Sequence, residues 1–265
     1  MSRGDFHVHT TFCDGAAGPE EMILAALDKG MTAIGFSGHS RTAFDESWCM
    51  SEAGTQGYRA EIARLKAKYA GQIAVYCGIE QDLYAASAAE GYDYVIGSVH
   101  YLHVGGDYLP VDESAAHQTD AAARYFGGDR YAFAEEYYRQ LAQVQAATGC
   151  GVIGHFDLVT KFNEGGALFD EGHPRYVAAW RAAADRLLQS GALFEINTGA
   201  IDRGWRSAPY PAAPILDYLI AGGARFLLSG DAHRPEGLCG GFDRWGAWAA
   251  ARGAVIADAP DFCIH

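Results

Sequence analysis

Short apolar, β-prone runs alternate with longer stretches of helical periodicity along almost the whole chain, and this alternation limits its possible folds more than any other feature. Such a pattern builds βα units around a parallel sheet or barrel, with the helices outside. Extended runs are read at residues 5–9, 32–37, 73–77, 93–96, 151–154, 193–196 and 224–228. That makes seven strands, short of the usual eight in a closed (β/α) barrel, while residues 254–257 fit either an extra strand or a packed tail. The first helix opens at Gly18-Pro19-Glu20-Glu21, with proline at its first position and acids in its first turn, and its inward stripe is Met22, Ile23, Ala26 and Leu27 before Gly30. Tyr58, Ile62, Leu65 and Tyr69 recur at the same spacing. Asp129 caps a long helix with the stripe Phe133, Tyr137, Leu141 and Val144, closed by Gly149. Further helices are expected over 174–190, 213–221 and 242–251. Between residues 101 and 130 the periodicity weakens around Gly105-Gly106, Pro110 and Gly127-Gly128, which reads as an active-site loop with a short helix over 115–125.

The 265 residues, 49% of them hydrophobic, suit a single domain spanning 1–265. No apolar run approaches the ~20 residues of a membrane span, and residues 1–5 are no signal peptide, so a soluble, cytoplasmic protein is expected. The six cysteines form no C-x-x-C pair and suit reduced, buried thiols. A net charge of -13 argues against a groove for long nucleic acids. A small anionic substrate remains compatible, because local metals and a few cations set the field inside a site. The oligomeric state is left open.

Chemistry gathers where the strands end. In an extended strand, residues two apart share a face, so His7 and His9 hold two imidazoles toward one point, with Asp14 just beyond. The second strand runs into Gly38-His39-Ser40, the third into Glu80, the fourth into Ser98-Val99-His100, the fifth into His155-Phe156-Asp157 and the seventh into Asp231-Ala232-His233. In parallel barrels these ends converge on one mouth. Six of the ten histidines fall there, whereas His103, His117, His173 and His265 scatter elsewhere. Imidazoles and carboxylates without thiolate suit Zn, Mn or Fe, and nine candidates (His7, His9, Asp14, His39, Glu80, His100, His155, Asp231 and His233) exceed the needs of one ion. Two to three divalent transition metal ions follow, bridged by carboxylates such as Glu80 and Asp231. Closely spaced ions suit displacement at phosphorus, so residues and spacing point to metal-assisted hydrolysis of a small phosphorylated substrate.

In this order the motifs resemble those of the polymerase-and-histidinol-phosphatase (PHP) superfamily, over residues 5 to about 235. Gly97-Ser98-Val99-His100, Gly154-His155-Phe156-Asp157-Leu158-Val159 and Asp231-Ala232-His233-Arg234-Pro235 most resemble the histidinol-phosphate phosphatases. The resemblance implies a distorted TIM-like (β/α)7 barrel and a trinuclear site: His7, His9, Glu80 and Asp231 at one ion, Glu80, His100 and His155 at a second, and Asp14, His39 and His233 at a third. Some members carry histidine at the position of Asp14, which leaves the metal open. The family's arginine after the fifth-strand histidine is absent, so Lys161 inherits the phosphate, with Arg203 and Arg206 as further candidates. The implied reaction is hydrolysis of L-histidinol phosphate by a metal-bound hydroxide, with Glu80 bridging and a metal-bound water, or a ligand-shell acid such as Asp231 or His233, supplying the leaving group's proton. Phe44, Asp45, Glu46 and Trp48, or Tyr101 and Asp112, are candidates for the wall that receives the imidazole and amine. A relative acting on another small phosphate monoester or short nucleotide, and a non-catalytic metal-binding protein, are the competing readings.

Overall fold

A computed structural model describes residues 4–257, so Cys263 and His265 lie outside the described residues. Among the described residues there are ten strands: β1 (Gly4–Asp5), β2 (Ala33–Phe36), β3 (Ala74–Asp82), β4 (Tyr94–Ser98), β5 (Tyr101–Val104), β6 (Asp107–Pro110), β7 (Val152–Ile153), β8 (Leu193–Asn197), β9 (Arg225–Ser229) and β10 (Val255–Ile256). Eight of them make one parallel sheet in the order β1-β2-β3-β4-β7-β8-β9-β10. Its ends curl together where Val8 bridges Ala232: His9 N donates to Ala232 O at 2.9 Å and Ala232 N to His7 O at 2.9 Å. The result is the expected distorted TIM-like barrel, with β10 as an additional strand in register with Arg225 and Phe226.

Two apolar layers hold it. Inside the ring, Phe6, Tyr94, Ile96, Val152, Leu193 and Leu227 fill the floor. Tyr94 stays buried there because its hydroxyl donates to Phe6 O at 2.6 Å and Phe36 O at 3.1 Å. Outside, the predicted stripes Met22, Ile23 and Ala26, Tyr58, Ile62 and Leu65, and Phe133, Tyr137 and Leu141 pack in the larger core.

Three departures from the periodicity reading have local causes. First, β3 continues past residue 77 to Asp82, because its first half pairs with β2 and its second half with β4. Gly78 permits this: a Cβ there would lie 2.2 Å from the Tyr94 ring. Second, part of the expected loop is an antiparallel hairpin of β5 and β6, turning at Gly105-Gly106 with φ of 63° and 94°. The helix Ala115–Tyr125 follows as expected, from the Ser114 cap. Third, the long helix is interrupted. Arg130–Leu141 starts at the Asp129 cap, which accepts from Tyr131 N and Ala132 N, and a separate turn, Val144–Thr148, ends at Gly149. A short helix, Gly199–Asp202, was also hidden from periodicity by its length, and it carries the chain into Arg203. Among the described residues no helix is long and apolar enough to cross a membrane.

Candidate metal centre

Glu80 occupies the middle of the mouth, fully enclosed, and its two oxygens face different histidines. Oε2 lies 2.9 Å from His39 Nδ1, 3.1 Å from His7 Nε2 and 3.5 Å from His9 Nε2. Oε1 lies 2.9 Å from His155 Nε2 and 3.3 Å from His100 Nε2, and accepts from Ser98 Oγ at 2.6 Å. This is what a bridging carboxylate requires. His7 and His9 follow β1 on either side of Val8, which bridges Ala232, their rings 5.1 Å apart. β3 supplies Glu80 from its interior, and the remaining strands deliver their ligands just beyond their last paired residues.

A second group closes the outer side. Asp14 Oδ1 lies 3.6 Å from both His9 Nδ1 and His39 Nε2, and Asp14 Oδ2 lies 3.2 Å from His233 Nε2. Asp231 Oδ1 faces His9 Nε2 at 3.3 Å and His7 Nε2 at 3.7 Å. Asp231 reaches this position with φ of 47°, a left-handed backbone uncommon outside glycine. Three sets of donor atoms each gather within 4.8 Å: His9, Asp14, His39 and His233; His7, His9 and Glu80; and His39, Glu80 and His100. His7 Nε2, His9 Nε2, His39 Nδ1 and Glu80 Oε2 are buried without a hydrogen-bond partner. Converging buried donor atoms without partners are costly unless a cation shares them, so the residues fit a metal cluster.

The buried carboxylates behind the histidines were missing from the list of candidates. Glu195 Oε1 accepts from His7 Nδ1 at 2.6 Å and from Ser229 Oγ at 2.7 Å, while Oε2 accepts from His155 N at 2.9 Å and Asn197 Nδ2 at 3.1 Å. Asp82 Oδ2 lies 3.2 Å from His100 Nδ1 and accepts from His100 N at 3.0 Å. With Nδ1 so engaged, His7 and His100 turn Nε2 toward the centre.

The electrostatics follow from this crowding. Burial disfavours a charged His7, yet Glu195, Glu80 and Asp231 outweigh it and raise its pKa well above the ordinary value. Burial, with His233 and His39 beside it, pushes His9 down to about 3. For His39 burial is outweighed by Glu80 and Asp14, giving about 9. Burial would raise Glu80 and Asp231, but the neighbouring histidines, and Arg203 for Asp231, hold both well below the usual carboxylate range. The acids are therefore ionised and ready to ligate. Cys13, 3.6 Å from His9 Nδ1, has its thiol pushed up to about 12 by burial and Asp14, which leaves it no thiolate to offer.

A cavity of about 380 Å³ opens over the cluster. Lys161 and Arg203 line it, as do Asp45, Trp48, Tyr101 and Asp112. Phe44 and Glu46 are not in its wall. Lys161 Nζ donates to Asp112 O at 2.8 Å and Oδ2 at 3.0 Å. Arg203 donates to Asp231 Oδ2 at 2.9 Å and to His233 Nδ1 at 2.8 Å. Arg206 is set behind the wall, donating to Thr160 O at 3.1 Å with its guanidinium 5.0 Å from the Tyr210 ring. The structure thus brings together all nine predicted ligands and two of the three predicted cations.

The chain belongs to the PHP domain family, whose pattern matches residues 5–199. It is 32% identical over 250 residues, 87% of this chain and 86% of the relative, to a Deinococcus radiodurans protein named probable histidinol-phosphatase. A crystal structure from Listeria monocytogenes, provisionally described as a histidinol phosphatase, matches with a TM-score of 0.77 at 19% identity, covering 91% of this chain and 99% of that one. The histidinol phosphate phosphatase of Lactococcus lactis, solved with Zn, L-histidinol and phosphate, matches with a TM-score of 0.69 at 19% identity, covering 96% and 95%. At that identity the structural likeness establishes the fold.

Proposed function

We propose that this chain is a metal-dependent phosphatase that hydrolyses L-histidinol phosphate to L-histidinol and phosphate, a step of histidine biosynthesis. The observation that carries this reading is the two-sided placement of Glu80, beneath a cavity that also holds Lys161 and Arg203. Its support from relatives is the D. radiodurans protein's name and the ligands bound in the L. lactis structure.

His7, His9, Glu80 and Asp231 would hold one ion, Glu80, His100 and His155 a second, and Asp14, His39 and His233 a third, so two to three ions of Zn, Mn or Fe are expected. Bound there, such ions supply Lewis acidity toward the phosphoryl oxygens and a water acidic enough to attack at neutral pH. Glu195 and Asp82 fix the imidazoles that frame the attack. Lys161, released from Asp112, takes a non-bridging oxygen, while Arg203 holds Asp231 and His233 in place and turns a free edge to the phosphoryl group. The new bond forms between water oxygen and phosphorus as the ester P–O bond breaks. The proton given up by the attacking water would pass to Asp231, or to His233 on the more exposed side of the cluster where that ring is not needed as a ligand, and from there to the leaving alkoxide.

The test is phosphate release from L-histidinol phosphate beside sugar phosphates, nucleotides and a phosphodiester. A kcat/KM for L-histidinol phosphate well above every other compound is expected. A clear preference for another compound would keep the hydrolase chemistry and discard this substrate.

A further inference from the structure

We propose that Asp45 selects substrates whose organic part is positively charged, so that the cavity accepts phosphate esters with a cationic tail and turns away neutral ones. This rests on the reading of the site as a phosphatase centre and goes beyond it by naming the property of the substrate that is read and the residue that reads it.

Asp45 lies in the cavity wall and is held by neutral donors alone. Its Oδ1 accepts from Ser47 N at 3.0 Å and Ser47 Oγ at 2.6 Å, and its Oδ2 from Tyr101 OH at 2.6 Å. Such contacts fix a carboxylate without cancelling its charge. Of the other acids of the wall, Asp112 pairs with Lys161 at 3.0 Å, Asp231 with Arg203 at 2.9 Å, Asp14 and Glu80 face the histidines of the metal centre, and Glu113 lies on the exposed rim beside His117. Among the described residues no cation lies within ion-pair distance of Asp45. A negative charge therefore stands uncompensated at the cavity, and its hydrogen bonds keep it ionised.

The loop that carries it is braced. Phe44 stacks on Tyr108 of the β5–β6 hairpin at 3.6 Å and 4°, packs edge-on against Tyr101 at 4.9 Å, and Thr42 Oγ1 donates to Asp45 O at 2.6 Å. Trp48 connects this wall to the metal centre, its ring 4.5 Å from His39, 5.2 Å from His100 and 5.9 Å from Tyr101. A substrate with its phosphoryl group over Glu80 thus extends along an indole toward a fixed carboxylate. That surface attracts an ammonium or imidazolium group through both the ring and the charge. A neutral tail would cover Asp45 without replacing its lost hydration, which is discrimination by an unpaired buried charge.

Kinetics of the metal-loaded protein on matched pairs test this: L-histidinol phosphate and O-phosphoethanolamine against glycerol 3-phosphate and propyl phosphate. The wild type is expected to prefer the cationic members, and in Asp45→Asn the cationic-to-neutral ratio of kcat/KM falls by about tenfold or more, the effect of losing one close charge pair. Tyr101→Phe, which keeps the ring and frees the carboxylate, moves the ratio the same way by less. Should Asp45→Asn fold poorly, inhibition of the wild type gives the second reading: L-histidinol competes and loses potency with added salt, and 3-phenylpropanol does not compete. An unchanged ratio in a folded, metal-loaded Asp45→Asn, or equal turnover of both classes by the wild type, overturns the proposal. Hydrolysis of L-histidinol phosphate with an unchanged ratio sinks charge selection alone. Preference for a different cationic ester sinks the named substrate and supports the selection.

Discussion

Glu195 shows how a residue can govern a site it never enters. Its Oε1 fixes His7 Nδ1 and its Oε2 the His155 backbone, so it sets two imidazoles belonging to different ions of the proposed cluster. Glu195→Gln, which keeps the shape and removes the charge, is expected to weaken metal affinity or activity by about 10–100-fold while the protein still folds. Metal titration followed by elemental analysis checks this, and full occupancy with unaltered turnover would refute the role. The convergence of the nine histidines and acids was legible because most of them lie just past an apolar run, or two apart in one extended stretch. Glu195 was not, since it sits within a strand whose role had already been explained by pairing, and neither was Asp82, which lies past the end read for the third strand. The available signal was Leu193-Phe194-Glu195-Ile196-Asn197, a charged residue in an otherwise apolar interior strand, which needs a partner. Arg206 illustrates the converse: sequence places it in the right loop, but only the fold shows its guanidinium turned to Thr160 and Tyr210.

Among the elements, the cap of the helix Arg130–Leu141 gives a clean expectation. Asp129 accepts two amide protons at the helix start and pairs with Arg175 at 2.7 Å, which together hold its carboxyl below the usual range. Asp129→Ala is expected to cost about 1 kcal/mol at neutral pH. Because the folded carboxyl is more acidic than the unfolded one, its contribution is complete above the ordinary carboxylate value and is lost as pH falls through the lowered one. The difference in stability between wild type and variant therefore shrinks in acid, and thermal unfolding at neutral pH and near pH 3 measures it. A difference that grows in acid would contradict the assignment. Helices whose period is unbroken were read correctly, as with the stripe inside Glu52–Lys68 and with Pro174–Leu188, whereas the stripe running on to Val144 hid the break after Leu141. Those fixed by tertiary contact escaped: the β5–β6 hairpin was taken for loop because its glycines looked like breakers when they are the turn itself, and Glu80 was placed after β3 when it lies inside. That second point has a test: Gly78→Ala, whose methyl would meet the Tyr94 ring, is expected to cost about 1–3 kcal/mol and to loosen Glu80.

At the scale of the whole molecule, the barrel concentrates at one end a set of acids and imidazoles that would repel, or stay buried and unpaired, without cations between them. Metal should therefore stabilise the fold as well as serve the chemistry, and chelation should lower the melting temperature in proportion to the binding free energy lost. The alternation of strands and helices carried the class of fold. The eighth parallel strand was beyond periodicity, since Val255–Ile256 is too short to show one and is defined by its register on β9. The measurement that bears most directly on the central claim is elemental analysis and L-histidinol phosphate hydrolysis on the same preparation, before and after chelation. Two to three transition metal ions per chain, with turnover abolished by chelation and restored by Zn, Mn or Fe, is the predicted result. Undiminished turnover from metal-free protein would contradict it.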